Sequence, residues 1–224
     1  MKHLKLIIYL GLTVFLINCS NMKNKDNPGG NNGNKPKEFA SPMEAAKAAK
    51  NDMMTAMDKN VNFGVDKEKL RSSNPGEAII RNELDMNALL SADSTTAFEK
   101  ISTNTDASIV PLITGKEVIA VVSIKNDNNN YSIVGLGDNA ISSELNMIYT
   151  LNREMTTTIM EIPNLNATIY EMKGPNGVIY YTSYNGHNLR VGISSAELIK
   201  ILKTDAAVFQ RKFGDKLKKQ KLVH

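Results

Sequence analysis

Side chains able to do chemistry are few in this 224-residue chain, and their spacing supports little. There is one cysteine, Cys19, and three histidines, His3, His187 and the terminal His224. His187 is the only internal imidazole. It follows Asn185-Gly186 in an expected turn with no Gly-x-Ser-x-Gly elbow nearby, so a Ser-His-acid triad has no support. One cysteine and one internal histidine also fall short of a transition-metal site. Asn126-Asp127-Asn128-Asn129-Asn130 offers calcium a single carboxylate, without the glycine and distal glutamate of an EF-hand loop, and reads as a polar turn. Gly135-Leu136-Gly137-Asp138 lacks the third glycine and the βαβ setting of a phosphate-binding turn. A pair of glycosidase carboxylates leaves no trace in linear spacing. The expectation is a domain with no catalytic constellation and no metal.

Recognition chemistry is better supplied. Tyr180, Tyr181 and Tyr184, with Tyr170 on an expected neighbouring strand, form an aromatic cluster in which strand alternation puts Tyr180 and Tyr184 on one face and Tyr181 on the other. Tyrosines beside a groove suit peptide or glycan; in the alternative reading they are the polar-tipped edge of a core. The C-terminal stretch carries Arg211, Lys212, Lys216, Lys218, Lys219 and Lys221 against Asp215 alone. Tyr180, Tyr184, Lys216, Lys218 and Lys219 are the candidate binding residues. For the lysines the alternative is a solvated helix end favoured by the helix dipole.

The amino terminus says where such a domain works. Lys2, His3 and Lys5 precede the apolar run 6–17, which is too short to cross a bilayer core of about 30 Å but suits a signal-peptide h-region. The run ends in Leu16-Ile17-Asn18-Cys19, and the whole resembles a bacterial lipoprotein signal. That resemblance covers residues 1–19 only. It implies cleavage before Cys19, a thioether-linked diacylglycerol on its sulfur and an N-acyl chain on the new amino terminus, which together anchor firmly. No cofactor is expected beyond these covalent chains. With Cys19 acylated, no thiol remains for a disulfide or for thiol catalysis. Ser20, not being aspartate, would permit transfer to the outer membrane of a diderm cell.

Residues 20–38 hold six Asn, four Lys, three Gly and two Pro. Such a segment cannot bury enough surface to offset its chain entropy and reads as a disordered tether with a root-mean-square span of roughly 25 Å. The expected organisation is therefore a signal peptide at 1–18, acylated Cys19 and tether at 19–38, and a single domain at 39–224. Without residues 1–18 the formal charge is +2, and residues 19–210 alone sum to −3. The body is not a polyanion binder, and an envelope address makes nucleic acid an improbable partner.

The elements that must position these residues read as α+β. Ser41-Pro42-Met43-Glu44 caps a helix running to about residue 59 with Ala46, Ala49, Met53 and Met57 on one face. Asn74-Pro75-Gly76-Glu77 suggests a second helix through Ile79, Ile80, Leu84, Ala88 and Leu90, and a short third lies near 95–101. Strands are expected at 109–113, 117–125 and 131–136, with Val118 to Val122 apolar enough for a strand covered on both faces. A helix capped at Asp138 or Asn139 follows, to about residue 152. A second block places strands at 155–162, 167–173, 178–184 and 187–192, the last two joined through Asn185-Gly186 as a type I′ hairpin. Ile193, Ser194, Glu197 and Leu198 then cap a long final helix with Leu198, Leu202, Phe209, Phe213 and Leu217 along one face. The sum is an antiparallel sheet of six or seven strands in two hairpin-connected blocks, with helices packed on it.

Three functions follow from that reading. The foremost is a lipid-anchored envelope module that binds an envelope protein or glycan. The second is a small-ligand or sensor domain of PAS-, Cache- or profilin-like topology, which predicts a closed apolar pocket beside the sheet. The third and weakest is an enzyme, which predicts converging acid and base groups with shifted pKa values.

Overall fold

Five α-helices and a mixed, mostly antiparallel sheet of eight strands make up the described residues of the computed structural model, 37–151 and 155–220. The expected signal peptide at 1–18, Cys19 and the expected tether up to residue 36 lie outside the described residues. No helix among those described is long and apolar enough to cross a membrane.

Helix α1 (Pro42–Asp58) starts where its residues dictate: the Ser41 side chain accepts the Glu44 N–H, and Pro42 takes a first position that needs no donor. After the short helix α2 (Lys67–Ser72) come β1 (Asn74–Pro75), β2 (Ile79–Leu84) and α3 (Met86–Ser91). The long strands β3 (Ser102–Thr114) and β4 (Glu117–Asp127) and then β5 (Asn130–Leu136) form a meander. Helix α4 (Asn139–Leu151), capped by Asp138, leads to β6 (Thr156–Ile162), β7 (Ala167–Gly174), β8 (Gly177–Thr182) and α5 (Ser195–Gln220). The sheet order is β5-β4-β3-β2-β6-β7-β8, with β1 on β3. Every pairing is antiparallel except that of β2 with β6.

Four expectations need correction. The sheet, expected to be antiparallel with six or seven strands in two hairpin-connected blocks, is mixed and has eight, because β2 and β6 meet as a parallel pair. Residues 79–84 form a strand and not a helix: Ile79 pairs with Ile109 of β3, and Ile80 with Thr158 of β6, so tertiary pairing overrides a helix-compatible pattern. The 95–101 segment contracts to one 3-10 turn, Phe98–Lys100. The Asn185-Gly186 turn does form, with φ of +56° and +78° and the His187 N–H on the Tyr184 carbonyl at 3.1 Å. No strand follows it. Asn188 starts another turn, accepting from Val191, and only the bridge between Tyr180 and Ile193 touches β8.

Side-chain alternation sorts the core onto the two faces of the sheet. On one face α4 alone seals Ile79, Ile109, Ile159 and Tyr170 with Ile141, Leu145 and Ile148. It is fixed in place by the Asn146 side chain, whose amide accepts the Val118 N–H at 2.6 Å and donates to the Val118 carbonyl at 2.8 Å. On the other face the small Ala45, Ala46 and Ala49 let α1 approach β3 and β4 closely. Beside it, α5 and α3 cover β6, β7 and β8 through Leu198, Leu202 and Leu89. Val118, Ala120, Val121 and Val122 are all buried, so β4 is covered on both faces.

Candidate functional site

Helix α4 does not extend over the whole of its face. Ile79 and Ile159 sit under it, but two residues further along each strand the same face carries Arg81 on β2 and Glu161 on β6. The parallel pairing brings these two side chains together, and an Arg81 Nη donates to Glu161 Oε1 at 2.5 Å. Both are about a quarter exposed, so the pair is only partly screened by water.

The first turns of α4 form the opposite wall. Asp138 spends one oxygen on the N–H groups of Ala140 and Ile141, each at 3.1 Å. Glu144 accepts from the Tyr170 hydroxyl at 2.6 Å and from the Ser183 hydroxyl at 2.5 Å. Tyr170 is fully buried on β7, so its hydroxyl is a rigid post rising from the sheet to the helix. Tyr184 and Asn185 close one end, where both donate to Asp205 Oδ2 of α5 at 2.9 Å. The left-handed turn at Asn185-Gly186 is what holds them there. Arg81, Asp138, Glu144, Glu161, Ser183, Tyr184 and Asn185 line a polar cleft of about 540 Å³, with Tyr170 and Asp205 behind its walls.

Three carboxylates against one guanidinium make the cleft acidic. Burial pushes the Tyr170 hydroxyl far above the ordinary phenol value, and the Glu144 bond and charge add to this. Tyr184 is pushed up to about 12 by burial first and then by Asp205. Both phenols therefore stay protonated and serve as donors. Arg81 Nε is buried and has no hydrogen-bond partner among the described residues. With three carboxylates among its walls, the cleft is suited to hydroxyl or amide groups that donate and to cations, and unsuited to anions.

Two other features lie apart from this cleft. Glu171 on β7 is only 7% exposed, on the face under α5, and its Oε2 has no hydrogen-bond partner among the described residues. Burial raises its pKa, the nearby Glu99 raises it further, and a hydrogen bond from Tyr180 works the other way. At the far end of α4, a smaller hollow of about 290 Å³ is lined by Glu77, Ile113, Lys116 and Tyr149. Among the described residues no three His, Cys, Asp or Glu side chains come close enough to hold a metal ion.

The residues singled out from sequence are scattered. Tyr180 is buried at 4% exposure with its ring 4.8 Å from that of Phe98, so it belongs to the core and has no face for a partner. Tyr181 is equally buried, on the opposite face. Tyr184 reaches the cleft. Lys216, Lys218 and Lys219 fall in the last turns of α5, far along the chain from the cleft's contributions, and their side chains lie outside the described set. Arg81, Glu144 and Glu161 were missed. Comparison with protein-family models, curated proteins and solved structures returns no match.

Proposed function

We propose that the chain is an acylated cell-envelope lipoprotein whose α+β domain is a non-catalytic binding module for another envelope component, contacted through the Arg81–Glu161 cleft. The location rests on Leu16-Ile17-Asn18-Cys19 and its basic and apolar lead; in a diderm cell Ser20 favours the outer membrane. The observation that supports binding over turnover is that each carboxylate of the cleft is already held by the protein: Glu161 by Arg81, Glu144 by Tyr170 and Ser183, Asp138 by two backbone N–H groups. Groups fixed in this way are preorganised for recognition, whereas a general acid or base needs a proton free to move. The partner chemistry is that of a glycan or a protein surface rich in hydroxyl, amide or ammonium groups. A small-ligand reading draws on the cleft volume of about 540 Å³, within the usual range for such sites, but the cleft is polar where that reading expects a closed apolar pocket.

Crosslinking and co-purification of the acylated protein from its native envelope separates these readings. A stoichiometric protein or glycan should accompany the wild type and the Cys19→Ser form supplied with the same membranes, and should be lost from Arg81→Gln/Glu161→Gln. Equal recovery with the double variant, its melting curve unchanged, would remove the cleft from the interface. A bound small molecule with no macromolecular partner would favour the sensor reading.

A further inference from the structure

Helix α5 keeps one apolar stripe along its length while its surroundings change. Leu198, Leu202 and Ala206 are fully buried against the sheet. The same helical spacing continues through Phe209, which is half-buried, and Phe213, which is 42% exposed, to Leu217. The two phenylalanine rings pack on each other with centroids 5.0 Å apart, and neither belongs to a core cluster. From Ala206 to Gln220 the helix continues for about 21 Å. The apolar stripe outlasts the body it packs on.

From residue 211 on, most of the residues between the apolar positions are basic. Residues 211–221 carry six positive side chains and one negative, although residues 19–210 are net negative. Arg211 and Lys212 are exposed. Two copies of such a helix would meet with like charges, which disfavours self-association through this stripe. A soluble polyanion would use the charges and leave the phenylalanines in water. A bilayer surface with anionic headgroups accepts both, taking the rings below the headgroups and the lysines among the phosphates.

We propose that the C-terminal half of α5 is an interfacial helix that lies on anionic phospholipid and forms a second membrane contact of the domain. This contact does not depend on the cleft reading, and it is tested without the acyl anchor, so failure of one leaves the other standing.

The mature chain from residue 19, with Cys19→Ser, is co-sedimented with vesicles of equal phosphatidylglycerol and phosphatidylcholine and with pure phosphatidylcholine vesicles. The expected result is at least about tenfold stronger partitioning to the anionic vesicles at low salt, falling steeply by about 0.5 M salt. Lys216→Glu/Lys218→Glu/Lys219→Glu should abolish the difference. Phe209→Ser/Phe213→Ser should weaken binding by about tenfold or more while the protein still melts as a folded domain. Equal partitioning to both vesicle types, no partitioning to either, or unchanged binding by both folded variants overturns the proposal. So does a dimer in sedimentation velocity that the phenylalanine variant dissolves, since a second copy would then cover the stripe. If one of the two variants fails to fold, the other decides the matter, because both leave the four lysines of residues 20–38 unchanged.

Discussion

Replacing Glu171 by glutamine should stabilise the protein, and only above the ordinary carboxyl range. Glu171 lies in β7 between β6 and β8, with Thr158 and Tyr180 as cross-strand partners and one carboxylate oxygen unbonded among the described residues. Burial and the neighbouring Glu99 raise its pKa, and the Tyr180 bond offsets them in part. A group whose folded pKa lies above its unfolded value of about 4.3 holds its proton more tightly in the native state. Its contribution is therefore full below that value, declines as pH rises towards the folded pKa, and is then lost. Glutamine keeps an acceptor for Tyr180 and has no charge to desolvate. The buried amide nitrogen that replaces Oε2 finds no partner either, so only removal of the desolvated charge contributes, and Glu171→Gln should gain about 1 kcal/mol at pH 8, or about 2–4 °C in melting temperature for a domain of this size. At pH 4 the gain should vanish. Thermal melts of the two Cys19→Ser chains at pH 4, 6 and 8 measure this, and the difference between them cancels the titrating groups that do not interact with Glu171, Glu99 being one that does. A gain of equal size at pH 4 and pH 8, or a loss at pH 8, would refute the argument.

Tyr170→Phe removes the hydroxyl that bridges β7 to Glu144 of α4, and should lower stability by about 1–2 kcal/mol in urea unfolding, since that bond runs to a charged acceptor from a buried post. A midpoint unchanged within error would mean that Glu144 is held by Ser183 alone. Asp138→Ala leaves two α4 N–H groups without their cap and removes a negative charge from the helix start; a loss of about 1 kcal/mol is expected by the same measurement.

What the sequence made legible was local. Ser41, Asp138 and Ser194 each mark a helix start and each accepts a backbone N–H there. The apolar run Val118 to Val122 announced a strand covered on both faces, and it is one. What failed was set by distant chain. The β2 residues read as a helix on their own and become a strand only between β3 and β6. Asn185-Gly186 adopts its favoured left-handed turn, but Tyr184 and Asn185 are drawn to Asp205 of α5, and the chain after them turns again at Asn188. The cleft was invisible for the same reason. Its one trace is that Arg81 and Glu161 each stand two residues beyond a buried isoleucine on the same strand face, with opposite charge. That complementarity means something only once β2 and β6 are known to be neighbours.

The β2–β6 junction also has a kinetic meaning. Strand β2 pairs on one edge with β3, which is near it in the chain, but its other edge is satisfied by β6, across a chain separation such as that from Ile80 to Thr158. Until that loop closes, the first four-stranded meander presents a bare edge, the kind of surface on which chains add to one another. Closing a long loop to form a parallel pair is slow relative to hairpin formation. The three-stranded β6-β7-β8 unit must therefore reach β2 across a long loop, and until it does the folding chain keeps an open edge exposed to other chains.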